Sequence, residues 1–158
     1  MAKQMWKPGN MLYPLPVVMV SCKGNEKDNI ITVAWAGTIC TNPAMLSISI
    51  KKERYSYDII KGSREFVINL VTDKLVYAAD WCGVRSGKDY DKFEQMKLTK
   101  QKAKYVACPM IKESPVNIEC RVEEIKELGS HDMFIAKVLN VWADAVSYTH
   151  LTLPTKLE

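Results

Sequence analysis

Between Pro16 and Trp142 the chain advances in short runs of apolar, largely β-branched residues, each stopped by a polar or glycine-bearing turn. That punctuation limits the fold more than any other feature, because it suits strands joined by tight connections and leaves little room for long packed helices. Residues 16–22 and 30–36 flank the polar stretch 24–29 and read as a hairpin. Residues 45–50 alternate apolar side chains with Ser47 and Ser49, the period of a half-buried strand, and residues 65–71 form a further strand. From Val116 the positions Ile118, Cys120 and Val122 repeat at period two until Glu123-Glu124 breaks the register, which predicts a bulge. In the run 133–142, Phe134, Ala136 and Val138 share one face, and Met133, Ile135, Leu139 and Val141 the other.

Helical signals are few. Ser56 is expected to cap a short helix through Ile59 and Ile60 that Gly62 ends. Thr72-Asp73 is expected to cap a second helix through Leu75, Val76 and Ala79 toward Trp81, and residues 83–101 a loop with a helical turn near Asp91. Several strands with little βαβ alternation predict a mainly β fold, a barrel rather than a doubly wound sheet. A last strand apolar on both faces predicts that helices or a second subunit cover the barrel's outside.

At 158 residues and 18.0 kDa, area scaling gives a folded surface of roughly 8,000 Å² against about 26,000 Å² unfolded, enough burial for one core. Domain 1–144 holds every pattern above. Residues 145–158 continue none and end in Leu157-Glu158, of the kind cloning sites leave, so His150 receives no functional weight. Net charge is +4 with basic and acidic residues interspersed, which fits a phosphate-bearing ligand better than nucleic acid. No apolar run is long enough for a bilayer span, and the N-terminus lacks a signal-peptide pattern. Five cysteines without a C-x-x-C pair read as free thiols in a reducing cytoplasm, and two histidines give no zinc spacing, so no metal is expected.

Four segments carry candidate chemistry. In residues 32–43, the small residues Ala36 and Gly37 would let a flat ligand approach the backbone, and the alternative is a tight barrel corner around a core Trp35. The segment 51–56 sets Arg54 and Ser56 at a helix start, an anion site or an exposed basic turn. The segment 86–93 mixes flexible, charged and aromatic residues, as a ligand cover or a solvated loop would. Asn69, inside an apolar strand, needs a hydrogen-bond partner, from a ligand or a neighbouring strand. His131, in the turn 129–132, is the one credible imidazole for proton handling, or else a surface residue.

In order along the chain, Tyr13-Pro14-Leu15-Pro16-Val17, the run from Asn29 to Gly37, Ser47-Ile48-Ser49-Ile50, Arg54-Tyr55-Ser56, the run from Glu65 to Leu70, Ser86-Gly87, Asp91-Lys92-Phe93, the run from Pro115 to Cys120 and Gly129-Ser130-His131-Asp132 form a set. With that set the sequence resembles the flavin reductase-like family of FMN-binding, Greek-key split barrels with short flanking helices, and is similar to its flavoredoxin-type members. The resemblance implies that Thr32, Ala34, Trp35, Ala36, Gly37 and Thr38 line the isoalloxazine ring, that Arg54, Tyr55 and Ser56 hold the FMN phosphate, and that Asn69 and Leu70 border the ring or ribityl chain. It implies that Ser86, Gly87, Lys92 and Phe93 cover the site and that His131 is catalytic, beside the reacting face. It further implies a homodimer with FMN at the subunit interface, an NADH or NADPH donor and a small-molecule or protein acceptor. The alternatives are an electron carrier without its own nicotinamide site, and a flavin-free binding module.

Overall fold

The structure is a computed structural model and describes residues 1–145. The tail expectation, Ala145 apart, and His150 lie outside the described residues. Among the described residues, nine strands and three short helices follow one another: β1 (Val18–Cys22), β2 (Asn29–Val33), β3 (Ala36–Cys40), β4 (Met45–Lys51), α1 (Tyr55–Ser63), β5 (Glu65–Leu70), α2 (Val76–Val84), α3 (Lys92–Gln95), β6 (Lys100–Gln101), β7 (Met110–Ile111), β8 (Val116–Glu127) and β9 (His131–Ala143). Seven strands form one antiparallel sheet in the order β2-β1-β5-β8-β9-β4-β3, and β6 pairs with β7.

The sheet is rolled into a barrel, and one connection proves it. Laid flat, its edge strands β2 and β3 would stand about 29 Å apart at the usual strand spacing. Yet only Ala34 and Trp35 separate Val33 from Ala36, a reach of roughly 11 Å. The edges therefore meet, and past the corner the Ser49 amide donates to the Trp35 carbonyl at 2.9 Å, extending the β3–β4 ladder by one pair. This corrects the reading of residues 30–36 as one strand: the run breaks at a corner where the chain crosses from one edge to the other.

The barrel interior is filled by Val20, Ile48, Ile50, Phe66, Cys120, Phe134 and Ala136, with Tyr57 and Ile60 of α1 packed into it. The alternation in β4 points Leu46, Ile48 and Ile50 inward. Outside, α2 and α3 lay Ala78, Ala79, Cys82 and Phe93 over Met19 and Ile30, and Ala103, Val106, Cys108 and Met110 cover Val67. That double coverage explains why β1 is apolar at nearly every position. Coverage from within the chain thus falls on β1, β2 and β5. On β9, Met133 and Ile135 are half-buried and Val141 is exposed.

Both bulge and turn signals have structural counterparts. The β8–β9 register shifts between Val122 and Glu124, and Asp91 caps α3 by accepting from the Glu94 amide. The helix-capping expectations do not hold. In α1 the cap position is Arg54, with no side-chain cap bond, and Ser56 lies inside the helix accepting from Asn29 Nδ2 at 2.7 Å. Gly62 sits within the last turn, and the stop is Arg64 in the left-handed region at φ 60°. After Thr72, a 3-10 turn (Asp73–Leu75) precedes α2, again without a side-chain cap.

Candidate functional site

A cavity of about 300 Å³ opens where the start of α1 meets the start of β2 and the α2–α3 loop. Arg54, Tyr55 and Ser56 form one wall, Ser86 and Gly87 another, and Lys92 lies at its base. An α-helix start without a side-chain cap presents orphan N–H groups and partial positive charge. Arg54 and Arg85 add two guanidinium groups, and neither makes an ion pair among the described residues. The one acid on the rim, Glu53, lies 3.7 Å from Lys51. The chemistry of this cavity is that of an anion receptor.

Lys92 is a structural tie as well as a wall. Its ammonium is buried and donates to the carbonyls of Ile30 at 2.7 Å and Cys82 at 2.6 Å, joining β2 to α2. Burial, with the Arg54 charge acting in the same sense, pulls its pKa from 10.5 down to about 8. Lys92 therefore sits beneath the cavity rather than covering it. The cover is the loop at Ser86 and Gly87, which closes on Asn29 because Gly87 has no side chain: a Cβ there would stand 2.1 Å from Asn29 Oδ1. Cys82 also lines the cavity, and burial pushes its thiol up to about 11, so it is no nucleophile at neutral pH.

Arg54 and Ile31 also line a second cavity of about 160 Å³, so the two adjoin at these residues. Here the walls are Thr32, Ala34 and Trp35 from the barrel corner, with Lys51 and His131. The Trp35 and His131 rings lie 4.4 Å apart, tilted by 38°. His131 opens β9, paired opposite Lys51, and its Nδ1 is 2.9 Å from the Ser130 hydroxyl. Partial burial, then the positive charges of Lys51 and Arg54, hold its pKa below the ordinary value. The turn before it needs Gly129, whose φ of +151° disfavours any side chain. One residue on, Asp132 is fully buried and accepts from Tyr57 at 2.6 Å, which pins α1 to β9 and pushes the Tyr57 phenol up to about 12.

Ala36 and Gly37 border a third cavity, which shares Trp35 and Ser49 with the second, and Thr38 lies exposed farther along β3. Like Thr38, three further expected site residues line none of these cavities. Asn69 is fully buried: its amide donates to the Met19 carbonyl and Ser21, and its oxygen accepts from Ile111 N and Asn117, so its bonding capacity is committed inside the protein. Leu70 packs against the barrel core, and Phe93 is buried against Met19, Ile30 and Ala79. Conversely, the sequence reading passes over Asn29, Gly83 and Arg85, which line the anion cavity. Arg85, next to Ser86-Gly87, had a signal in its charge beside a flexible turn; Asn29 and Gly83 had none.

A sequence model of the flavin reductase like domain matches residues 10–153. The chain belongs to the flavin reductase-like family. A relative of this flavin reductase-like chain, an uncharacterized protein of Archaeoglobus fulgidus, is 35% identical over 130 residues, spanning 82% of this chain and 73% of its own. Among solved structures, the flavoredoxin of Desulfovibrio vulgaris (Miyazaki F) superposes with a TM-score of 0.85 at 29% identity, covering 92% of this chain and 78% of its own. The flavoredoxin of Methanosarcina acetivorans gives 0.81 at 26% identity, covering 90% and 77%. The fold of this flavin reductase-like chain is accordingly the split barrel of its relatives. Among the described residues, no helix is long and apolar enough to cross a membrane, and no cluster of His, Cys, Asp and Glu is placed to hold a metal ion.

Proposed function

We propose that the chain binds FMN and acts as an oxidoreductase that takes hydride from NADH or NADPH and passes electrons to an acceptor. The observation that carries this reading is a pair of adjoining cavities with Arg54 common to both, one a cationic pocket at the start of α1 and the other walled by Trp35, small residues, Lys51 and an imidazole. A ligand with an anionic end and a flat end fits such a pair. Arg54, Arg85, Ser86 and the start of α1 would hold the phosphate through charge-assisted bonds, and backbone and small side chains at residues 32–35 would flank the ring. The flavin supplies the hydride chemistry when bound. The chain's own residues bind and orient: His131, kept uncharged near neutral pH, presents a neutral imidazole beside Trp35 and can hold or release a proton there.

Pairing of two chains belongs to the same reading. The strands β3 and β9 leave Ile39 and Val141 exposed and Ile135 half-buried, apolar surface that a second copy would cover. The test is a titration of purified protein with FMN and with riboflavin, followed by flavin fluorescence. FMN is expected to bind at least tenfold more tightly; equal affinities, or none, would refute the anion site. A carrier without a nicotinamide site is favoured by the likeness to the two flavoredoxins. It is separated by steady-state oxidation of NADH and NADPH, where turnover with neither nucleotide selects it.

A further inference from the structure

Glu119 of β8 is a fully buried carboxylate that the flavin reading does not use. It accepts from the backbone amides of Lys104 at 3.1 Å, Tyr105 at 2.6 Å and Val106 at 3.2 Å. Two side chains of β9 complete its shell, Trp142 Nε1 at 2.7 Å and Asn140 Nδ2 at 3.3 Å. The next amide, Ala107, donates to the Glu65 carboxylate of β5 at 2.9 Å. Arg121 then ties Glu65, at 3.0 Å, to the Tyr105 carbonyl, at 3.1 Å. Four consecutive backbone N–H groups thus end on carboxylates. Residues 103–108 have no regular secondary structure and, among the described residues, no backbone–backbone hydrogen bond. What they cover is small: Ala103, Val106 and Cys108, with Met110, pack on Val67 in a cluster separate from the barrel interior.

We propose that residues 103–108 form a strap that opens as a unit over a barrel that stays folded, with the Glu119 carboxylate as its latch and protonation as the trigger. A segment with few buried contacts and no ladder bonds opens at a lower free energy than the sheet beneath it. An ionised carboxylate only accepts, whereas a protonated one turns an oxygen into a donor facing amide donors. The charged and titratable groups around the latch are Glu65 of β5, Arg121 of β8, Lys104, Tyr105 and Cys108 of the strap, and Lys137 of β9, paired opposite Arg121. Carboxylates are the members of such a set that take up protons in mild acid. Burial raises the Glu119 pKa, but the bonds from Trp142, Tyr105, Lys104 and Asn140 outweigh it and hold it below the ordinary 4.5. The latch therefore favours closure above pH 4.5 and loses that contribution as pH falls below it. Opening uncovers Val67 and the Cys108 thiol, both fully buried under the closed strap. The inference does not depend on flavin binding, since no strap residue lines the anion cavity or the cavity with His131.

The test is amide hydrogen exchange of the full chain followed residue by residue by NMR, with thiol labelling by 4,4′-dithiodipyridine. In Glu119→Gln a side-chain NH2 faces the amide donors of residues 104–106. Their exchange at neutral pH should quicken roughly ten- to a hundredfold, with the β1 and β5 amides at the parent's rates. Cys108 should then be labelled ahead of the equally buried Cys22 and Cys120. In the parent, exchange at residues 104–107, corrected for its intrinsic pH dependence, should quicken relative to β5 once pH falls below 4.5. Glu65→Ala leaves the Glu119 bonds in place and should free the Ala107 amide first; it carries the test if Glu119→Gln does not fold. Strap amides as slow as the parent's in the folded Glu119→Gln protein overturn the latch, as does an unchanged Ala107 in Glu65→Ala. Strap and β5 amides that quicken together, or three thiols labelled at one rate, overturn opening as a unit. Strap exchange indifferent to acid overturns the trigger.

Discussion

Replacing Gly87 by Ala is the smallest change that tests how the anion cavity is closed. A Cβ at residue 87 would stand 2.1 Å from Asn29 Oδ1, 2.4 Å from its Cγ and 2.7 Å from its Nδ2, short of ordinary 3.4 Å contact by about 1.3 Å at the nearest atom. Asn29 cannot yield cheaply: it is buried, opens β2 paired with Cys22, and donates to Ser56 at 2.7 Å. The loop must move instead, carrying Ser86 and Arg85 away from Arg54. Overpacking of this kind costs about 1–3 kcal/mol, offset by about 0.4–1 kcal/mol because alanine restricts the unfolded chain. The expected net loss is therefore about 1–2 kcal/mol, read as a lower urea midpoint at unchanged slope. Displacing Arg85 should also remove one charge-assisted contact, about 1.5–3 kcal/mol, so FMN affinity should fall by roughly ten- to a hundredfold. The combination N29A/G87A removes all three clashing atoms, and its stability loss should be smaller than the sum of the single losses. A Gly87→Ala protein with a stability loss under about 0.5 kcal/mol and unaltered FMN affinity would refute the account of the closed loop.

Arg54→Ala should weaken FMN by about 1.5–3 kcal/mol while leaving riboflavin nearly unaffected; equal losses for both would move the phosphate elsewhere. His131→Ala should slow reduction by NADH or NADPH by the equivalent of about 1–3 kcal/mol with FMN still bound, and an unchanged rate would return the imidazole to a surface role. Stability should fall as pH rises from about 9 to 11. Burial raises Cys22 and Cys82 from 9.0 to about 11, Cys108 to about 12 and Cys120 further, so across that window the folded state holds thiol protons that the unfolded chain has released. Lys92 acts oppositely between about 8 and 10.5, where the unfolded chain binds the extra proton, so Lys92→Met should steepen the alkaline loss; urea midpoints that rise throughout would contradict the thiol sign, and a Lys92→Met loss no steeper than that of the parent would contradict the lysine sign.

The strands were legible where one local pattern decides them. The β1–β2 hairpin, the alternation of β4 and the break after Val122 follow from spacing alone. The corner at Ala34–Trp35 was not, because nothing local interrupts an apolar run whose break is imposed by barrel closure. The two-residue strands β6 and β7 carry too few positions for any period. Ser56 has the chemistry of a cap, but its hydroxyl is taken by an asparagine 27 positions away, and Arg64 stops α1 in a conformation that composition assigns to glycine. For the site, polarity inside a strand said that Asn69 required partners without saying which, and they proved to be Met19, Ser21, Ile111 and Asn117 rather than a ligand.

What the sequence could not express is the registration of distant segments, and three buried polar contacts supply it. Asn29 meets Ser56, Lys92 bridges the carbonyls of Ile30 and Cys82, and Tyr57 meets Asp132. Each is costly compared with an apolar pair, since a buried ammonium, amide or carboxylate must recover the hydration it loses. Apolar packing at these positions would join the same elements with little preference for register, because dispersion contacts tolerate sliding and repacking. A directed bond tolerates neither: Lys92 satisfies both carbonyls only when α2 and β2 stand at one offset, and Asn29 reaches Ser56 only when α1 begins where it does. These contacts lie between the start of α1, the covering loop and the strand that carries His131, so the free energy they forgo in stability fixes the distance between the cationic cavity and the imidazole. A ligand with a phosphate at one end and a flat ring at the other depends on that distance more than on any single contact.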